Sequence, residues 1–223
     1  MDNFLSYILT AEFAYSVLRV TTPLLFAAQA SVVAENSGAS NIALEGIMLF
    51  AAAFGALGTG LTGSLFIGFL IALGSGLLIA VLLAYFALYL KTDIILSGIA
   101  LNTLAAGGTV FIMYVLIHDK GSTSSLVSLV FPKVVIPGIA AIPVLGSILS
   151  GQNVLTYIAF FTVFAVWFLL YKTKLGMHIR CVGENPDAAE SVGIPIRKTR
   201  VIALLISGLL ASLGGVFLSM AYM

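Results

Sequence analysis

Residues 46–90 contain no Asp, Glu, Lys, Arg or His. That run decides what the chain can become. A bilayer's hydrocarbon core is about 30 Å thick and a helix rises about 1.5 Å per residue, so one span takes roughly 20 apolar residues. The run is therefore long enough for two spans, with the cluster Gly58, Gly60, Thr62, Gly63 and Ser64 marking a tight turn between them. Other uncharged stretches cover 94–117, 134–171 and 201–223, and residues 13–34 are interrupted only by Arg19. Pro137, Gly138, Pro143, Gly146 and Gly151 break the 134–171 stretch. They leave 153–171 as a full span and 134–150 as a loop or re-entrant piece. The expected fold is all-α: a polytopic transmembrane helix bundle of about six spans, forming one domain over 1–223.

Composition excludes the soluble alternatives. The chain is 61% apolar and 9% charged, where a soluble domain carries about 25% charged residues. At a mean hydropathy of +1.15 no soluble core could bury this much apolar surface. A net charge of +1 offers no basic field, so no nucleic-acid partner is expected. The single cysteine, Cys181, excludes an internal disulfide. No basic n-region precedes the first apolar stretch, so the first helix is expected to be retained.

Lys and Arg in short loops set orientation. Lys172, Lys174, Arg180, Arg197, Lys198 and Arg200 all fall in 172–200, which predicts a cytoplasmic loop there. Trp167 and Tyr171 stand just before it, where an interfacial aromatic belt would lie. Counting back places 119–150 outside, 91–93 inside, 61–64 outside, 35–40 inside and the N-terminus outside. The spans are rich in Gly, which reads as tight helix packing or, more sharply, as a sliding surface; Gly208 and Ser212 form one small-xxx-small pair.

Within 172–200 the sequence predicts a short helix over 186–192. Asn185 is a good N-cap, Pro186 suits the first helical position, and Asp187 favours the positive helix start. Gly193 can take the left-handed conformation at the far end, and Pro195 stops continuation. Ala188 and Ala189 are expected on its surface, a small knob for a groove on another protein.

The segment Gly176–Gly193, running through Arg197–Arg200 into Ser-Gly-Leu-Leu-Ala-Ser-Leu-Gly-Gly at 207–215, resembles the coupling loop of ribose/branched-chain-type ABC importer permeases. Ser-Asn-Ile-Ala-Leu-Glu-Gly-Ile-Met-Leu at 40–49 is similar to a signature of the nucleoside (simple sugar) branch, and 91–102 is similar to that branch's region after the third span. Order and spacing agree over nearly the whole chain. The branch usually has Gly at the position of Ala43 and often Arg at that of Asn36. Its members continue for at least two further helices. This chain is thus read as a natural short form, a truncated product or a fragment.

The resemblance implies a permease subunit in a bacterial plasma (inner) membrane, working by alternating access. Its implied partners are a cytoplasmic ABC ATPase, a second permease subunit and an extracellular substrate-binding lipoprotein, with nucleosides or related simple sugars as cargo. It assigns ATPase coupling to Arg180, Glu184, Asn185, Asp187, Ala188, Ala189 and Gly193. The chain itself is expected to need no cofactor, ATP being used by the partner.

Polar residues inside spans point to a route. Asn41 and Glu45 are four apart, so they are expected on one helical face, either binding substrate or holding a broken helix in place; a Glu that merely caps or snorkels is the plainer reading. Asn102 and Thr103 lie mid-span. A buried Asn could bond a ribose hydroxyl or a neighbouring helix backbone. Arg19 could attract an anion, pair with Glu12 or snorkel, and Asp93 reads as a solvated helix end.

The sequence holds no Gly-x-x-x-x-Gly-Lys-Ser/Thr, no His-Glu-x-x-His and no Gly-x-Ser-x-Gly. An intramembrane enzyme would need a nucleophile and base at membrane depth, and none is visible. The remaining rival is an ion-coupled secondary carrier or channel subunit, for which Glu45 is the only candidate buried carboxylate.

Overall fold

The computed structural model describes residues 11–118, 129–132, 134 and 150–221. Eight α-helices occur among the described residues: α1 (Ala11–Glu35), α2 (Leu44–Thr62), α3 (Leu65–Ala84), α4 (Ile94–Ile117), α5 (Val154–Lys172), α6 (Lys174–Glu184), α7 (Pro186–Ser191) and α8 (Ile196–Met220). One π-helical stretch, Tyr85–Tyr89, prolongs α3. Six of these helices are long and apolar enough to span a membrane: α1, α2, α3 with its π-helical tail, α4, α5 and α8. The expected loop or re-entrant piece at 134–150 lies almost wholly outside the described residues.

Helix ends follow from local chemistry. Gly63, at φ +63°, closes α2 in the left-handed region and donates its N–H to the Thr59 carbonyl at 2.9 Å. The turn to α3 is only Gly63–Ser64. Gly58 and Gly60, expected to break the helix, stay inside α2; a Cβ on Gly58 would stand 3.0 Å from the Cα of Gly68 across the hairpin, so that glycine sets close helix approach. Asp93 is more than a solvated end: its carboxylate caps α4, accepting from the N–H of Ile95 at 2.8 Å and of Leu96 at 3.1 Å.

α8 stands at the centre, packed against α1, α2 and α3, while α4 lies outside α2 and α5 outside α1. Small residues permit this. A Cβ on Gly215 would strike the Met48 carbonyl of α2, one on Gly208 the Ala80 side chain of α3, and one on Gly76 the Ser212 hydroxyl of α8. In lipid, such close backbone approach provides much of the association. The Gly208/Ser212 pair is therefore a packing seam. The core holds Ile47, Ile79, Leu83, Ile179 and Leu204, each fully buried.

The 172–200 segment is more ordered than a loop with one short helix. α6 precedes α7, and α8 begins at Ile196, so Arg197, Lys198 and Arg200 occupy its first turns. Thr173 caps α6 by accepting from the Gly176 N–H at 3.1 Å. α6 buries Gly176, Ile179 and Val182 on one face. The 36–43 connection, the 91–93 turn and α6–α7 all sit at one end of the bundle. Lys91, Lys172, Lys174, Arg180, Arg197, Lys198 and Arg200 belong to this basic end, and the turn at Gly63 lies at the opposite end.

Candidate functional site

Two features at the basic end stand out: a non-helical segment that enters the bundle, and a braced pair of short helices.

α1 ends in a tight turn. Gly38, at φ +68°, donates its N–H to the Glu35 carbonyl at 2.9 Å, and the Ser37 hydroxyl donates to the Ala34 carbonyl at 2.7 Å. Residues 39–41 then run without helix alongside α8. Arg200 Nε donates to the Ser37 carbonyl at 3.2 Å, and Asn41 Nδ2 donates to Ser207 Oγ at 2.9 Å. Arg200 and Ser207 are seven residues apart on α8, a rise of about 10 Å. The segment thus descends from the bundle end into its interior, where Ala39 and Asn41 are buried. Irregular backbone at membrane depth is tolerated only where protein or a cavity satisfies it. Here Asn102 does so. It accepts from the Gly46 N–H at 2.8 Å and donates to the Ile42 carbonyl at 2.9 Å, capping α2 from the side of α4.

This geometry corrects part of the expected route. Asn41 precedes α2 rather than lying on it, so Asn41 and Glu45 do not share a helical face. The Asn41 side chain instead accepts from the Ala43 N–H at 3.2 Å, holding the turn that precedes the helix. Of the two readings of Asn102, hydrogen bonding to helix backbone is the one observed. Glu45, in the first turn of α2, and Thr103, one residue beyond Asn102, are both exposed. Thr103 Oγ1 donates to the Ile99 carbonyl at 3.0 Å. Glu45 makes no side-chain hydrogen bond or ion pair with the described residues.

The second feature begins at Arg180. Its Nε donates to the Leu170 carbonyl at 3.1 Å and its guanidinium lies 4.7 Å from the centre of the Tyr171 ring, so it ties α6 back to α5. Gly183 rests on the α1 turn; a Cβ there would strike the Asn36 carbonyl. Glu184 shares a surface groove of about 280 Å³ with Glu35, Asn36 and Arg180.

α7 follows with the expected ends. Asn185 Oδ1 accepts from the Ala188 N–H at 3.1 Å, Pro186 opens the helix, and Asp187 lies in its first turn. Gly193 takes φ +82° and donates to the Glu190 carbonyl at 2.9 Å. Ala189, however, is fully buried; it is the residue by which α7 seats on the bundle, and the Ile194 N–H bonds its carbonyl at 3.0 Å. The outward face carries Asp187, Ala188, Glu190 and Val192, the last 71% exposed.

The sequence offers no contact partner for Ser37, Gly183, Arg200 or Ser207, which hold these two features to the bundle. Ser207 stands in a motif that the resemblance picked out, but its partner, 166 positions away, is visible only in the fold.

The chain matches the family described as "Branched-chain amino acid transport system / permease component" over residues 13–223. It is similar to the guanosine ABC transporter permease protein NupQ of Bacillus subtilis, 38% identical over 95% of this chain and 66% of the relative. It is also similar to the nucleoside ABC transporter permease protein NupC of Lactococcus lactis, 33% identical over 92% of this chain and 66% of the relative. A shorter likeness, 40% identical over 23% of this chain and 16% of the relative, is to the ribose import permease protein RbsC of Escherichia coli. The chain thus spans just under two thirds of the length of these two permease relatives. No solved structure matches it significantly. With six span-length helices and a family match running from α1 through α8, this multi-pass helical membrane protein belongs to the permease-component family of branched-chain amino acid transport systems.

Proposed function

We propose that the chain forms the membrane-spanning part of a permease subunit in an ATP-driven ABC importer of the bacterial inner membrane, with nucleosides or related simple sugars as cargo. The observation that carries this reading is the capped helix α7, presented at the basic end and braced to the spans. α7 seats through Ala189, α6 is pinned to α5 by Arg180 and to the α1 turn by Gly183, and Arg200 of α8 bonds that same turn. A push on α7 would therefore reach the 36–43 connection through α6 and α8. The partner that pushes is a cytoplasmic ABC ATPase, contacting Asp187, Ala188 and Val192. Arg180, Glu184, Asn185, Ala189 and Gly193 shape and anchor the helix that it grips.

Glu45 and Thr103, exposed on neighbouring helices beside the non-helical segment, face the translocation route and the second permease subunit. Asn41 and Asn102 hold that segment in place. An extracellular substrate-binding lipoprotein delivers cargo at the opposite end. The names of two of the relatives, a guanosine and a nucleoside ABC transporter permease protein, support the cargo class.

The test is co-purification from the native membrane, comparing the parent with Ala188→Arg/Val192→Arg. Both changes lie on the exposed face and leave the Ala189 seat intact. An ATPase retained by the parent and lost from the variant supports the reading. An ATPase absent from both, with chain inserted and stable, overturns it. Uptake driven by an ion gradient without ATP would move the assignment to a secondary carrier.

A further inference from the structure

A groove of about 670 Å³ opens at the basic end, where the π-helical tail of α3 meets the start of α8. Lys91, Arg197, Lys198 and Arg200 line it, against one carboxylate, Glu190. None of the four cations is ion-paired with a described residue. Two are held in place: Arg197 lies 5.1 Å from the centre of the Tyr89 ring, and Arg200 bonds the Ser37 carbonyl. Lys91, at φ +56°, sits in the sharp turn between the π-helical tail and the Asp93 cap. No side chain caps the start of α8, so its first backbone N–H groups add partial positive charge to the same wall.

Directly beyond this basic wall, α3 presents an apolar row. Leu78, Val81, Tyr85 and Tyr89 recur every three or four residues, and each is about half exposed, between 49% and 55%. The Tyr85 and Tyr89 rings are stacked, with centroids 5.9 Å apart. A ligand that used both surfaces would carry a negative charge at the end of a span and a hydrocarbon tail along it.

We propose that this groove holds the phosphate of an anionic phospholipid, with one acyl chain lying along Leu78, Val81 and Tyr85. Charge complementarity selects the headgroup, since a zwitterionic lipid would bring an ammonium towards four cations. The apolar row selects a lipid over a free anion, which has no use for it. Basic pockets between spans beside an anionic leaflet favour such binding, each Lys or Arg by a factor of about five.

Native mass spectrometry of the intact chain, released from detergent and titrated with phosphatidylglycerol, tests this. The parent should retain one phosphatidylglycerol tightly, and phosphatidylcholine should not be retained. Lys91→Gln/Arg197→Gln/Lys198→Gln should weaken retention on the order of a hundredfold. Lys172→Gln/Lys174→Gln removes exposed charge at the same end outside the groove, and should change retention less than about twofold. Val81→Ser keeps every charge and should weaken retention severalfold, by the apolar area lost. Equal losses in the two charge variants would overturn the proposal in favour of diffuse attraction. Displacement of the lipid by millimolar inorganic phosphate, or no effect of Val81→Ser, would overturn it in favour of a free-anion site.

Discussion

Asn102 satisfies two backbone groups at a depth where water is scarce. Asn102→Ala leaves the Gly46 N–H and the Ile42 carbonyl without the partners that they have at 2.8 and 2.9 Å. The expected cost is about 1–2 kcal/mol, read as a lower midpoint in detergent unfolding. Asn102→Asp keeps an acceptor for Gly46 but sets a carboxylate oxygen against the Ile42 carbonyl, so it should not recover the loss. Glu45 gives the opposite pattern. Its side chain bonds no described residue, so Glu45→Gln should shift stability by less than about 0.5 kcal/mol while lowering uptake in reconstituted vesicles; unchanged uptake would remove Glu45 from the route. The sequence made both residues visible as polar groups in apolar stretches. It misplaced Asn41 because a spacing of four means a shared face only if the helix has already begun. The Asn41 side chain bonds the Ala43 N–H locally, the competition with helix that makes Asn common just before helices.

At the scale of elements, α7 was legible because its ends are written in adjacent residues: Asn185, Pro186, Gly193 and Pro195 act within a few positions of one another. Asn185→Ala should cost about 1 kcal/mol and speed amide exchange over 186–191 roughly fivefold, with the spans unaffected. α6 was not read. Its two glycines, Gly176 and Gly183, look like loop residues. They are there because Gly176 packs against the backbone of Leu169 and Leu170 and Gly183 against that of Asn36. The available signal was the apolar spacing Leu175, Ile179, Val182, one face of a short helix. Gly183→Val should force α6 off the α1 turn at a cost of about 1–3 kcal/mol. If α6 transmits the stroke, the partner ATPase still co-purifies with this variant but loses its stimulation by cargo. Retained stimulation would put the transmission elsewhere.

At the scale of the molecule, bilayer thickness and the placing of charge led to six spans, and six span-length helices occur among the described residues, with limits within about five residues of those expected. Which helix stands at the centre did not follow. α3 is more apolar still, so apolarity alone does not single out α8; α8 is central because its Ser207, Gly208, Ala211, Ser212 and Gly215 let three helices approach it. Gly208→Leu would drive a side chain into Ala80 of α3 and should lower the fraction of folded protein recovered from the membrane, whereas a similar change at Gly107, which has open space beside it, should not. The central place of α8 also bears on how the chain is made. The descending 39–41 segment is held by Arg200 and Ser207, which leave the ribosome more than 150 residues after it. Until then the first two spans are joined by a stretch whose hydrogen-bonding groups lack their final partners. Insertion of this protein is therefore a process with a late closing step, and nascent chains halted before residue 200 are the form in which an insertase or membrane quality-control protease has most to hold.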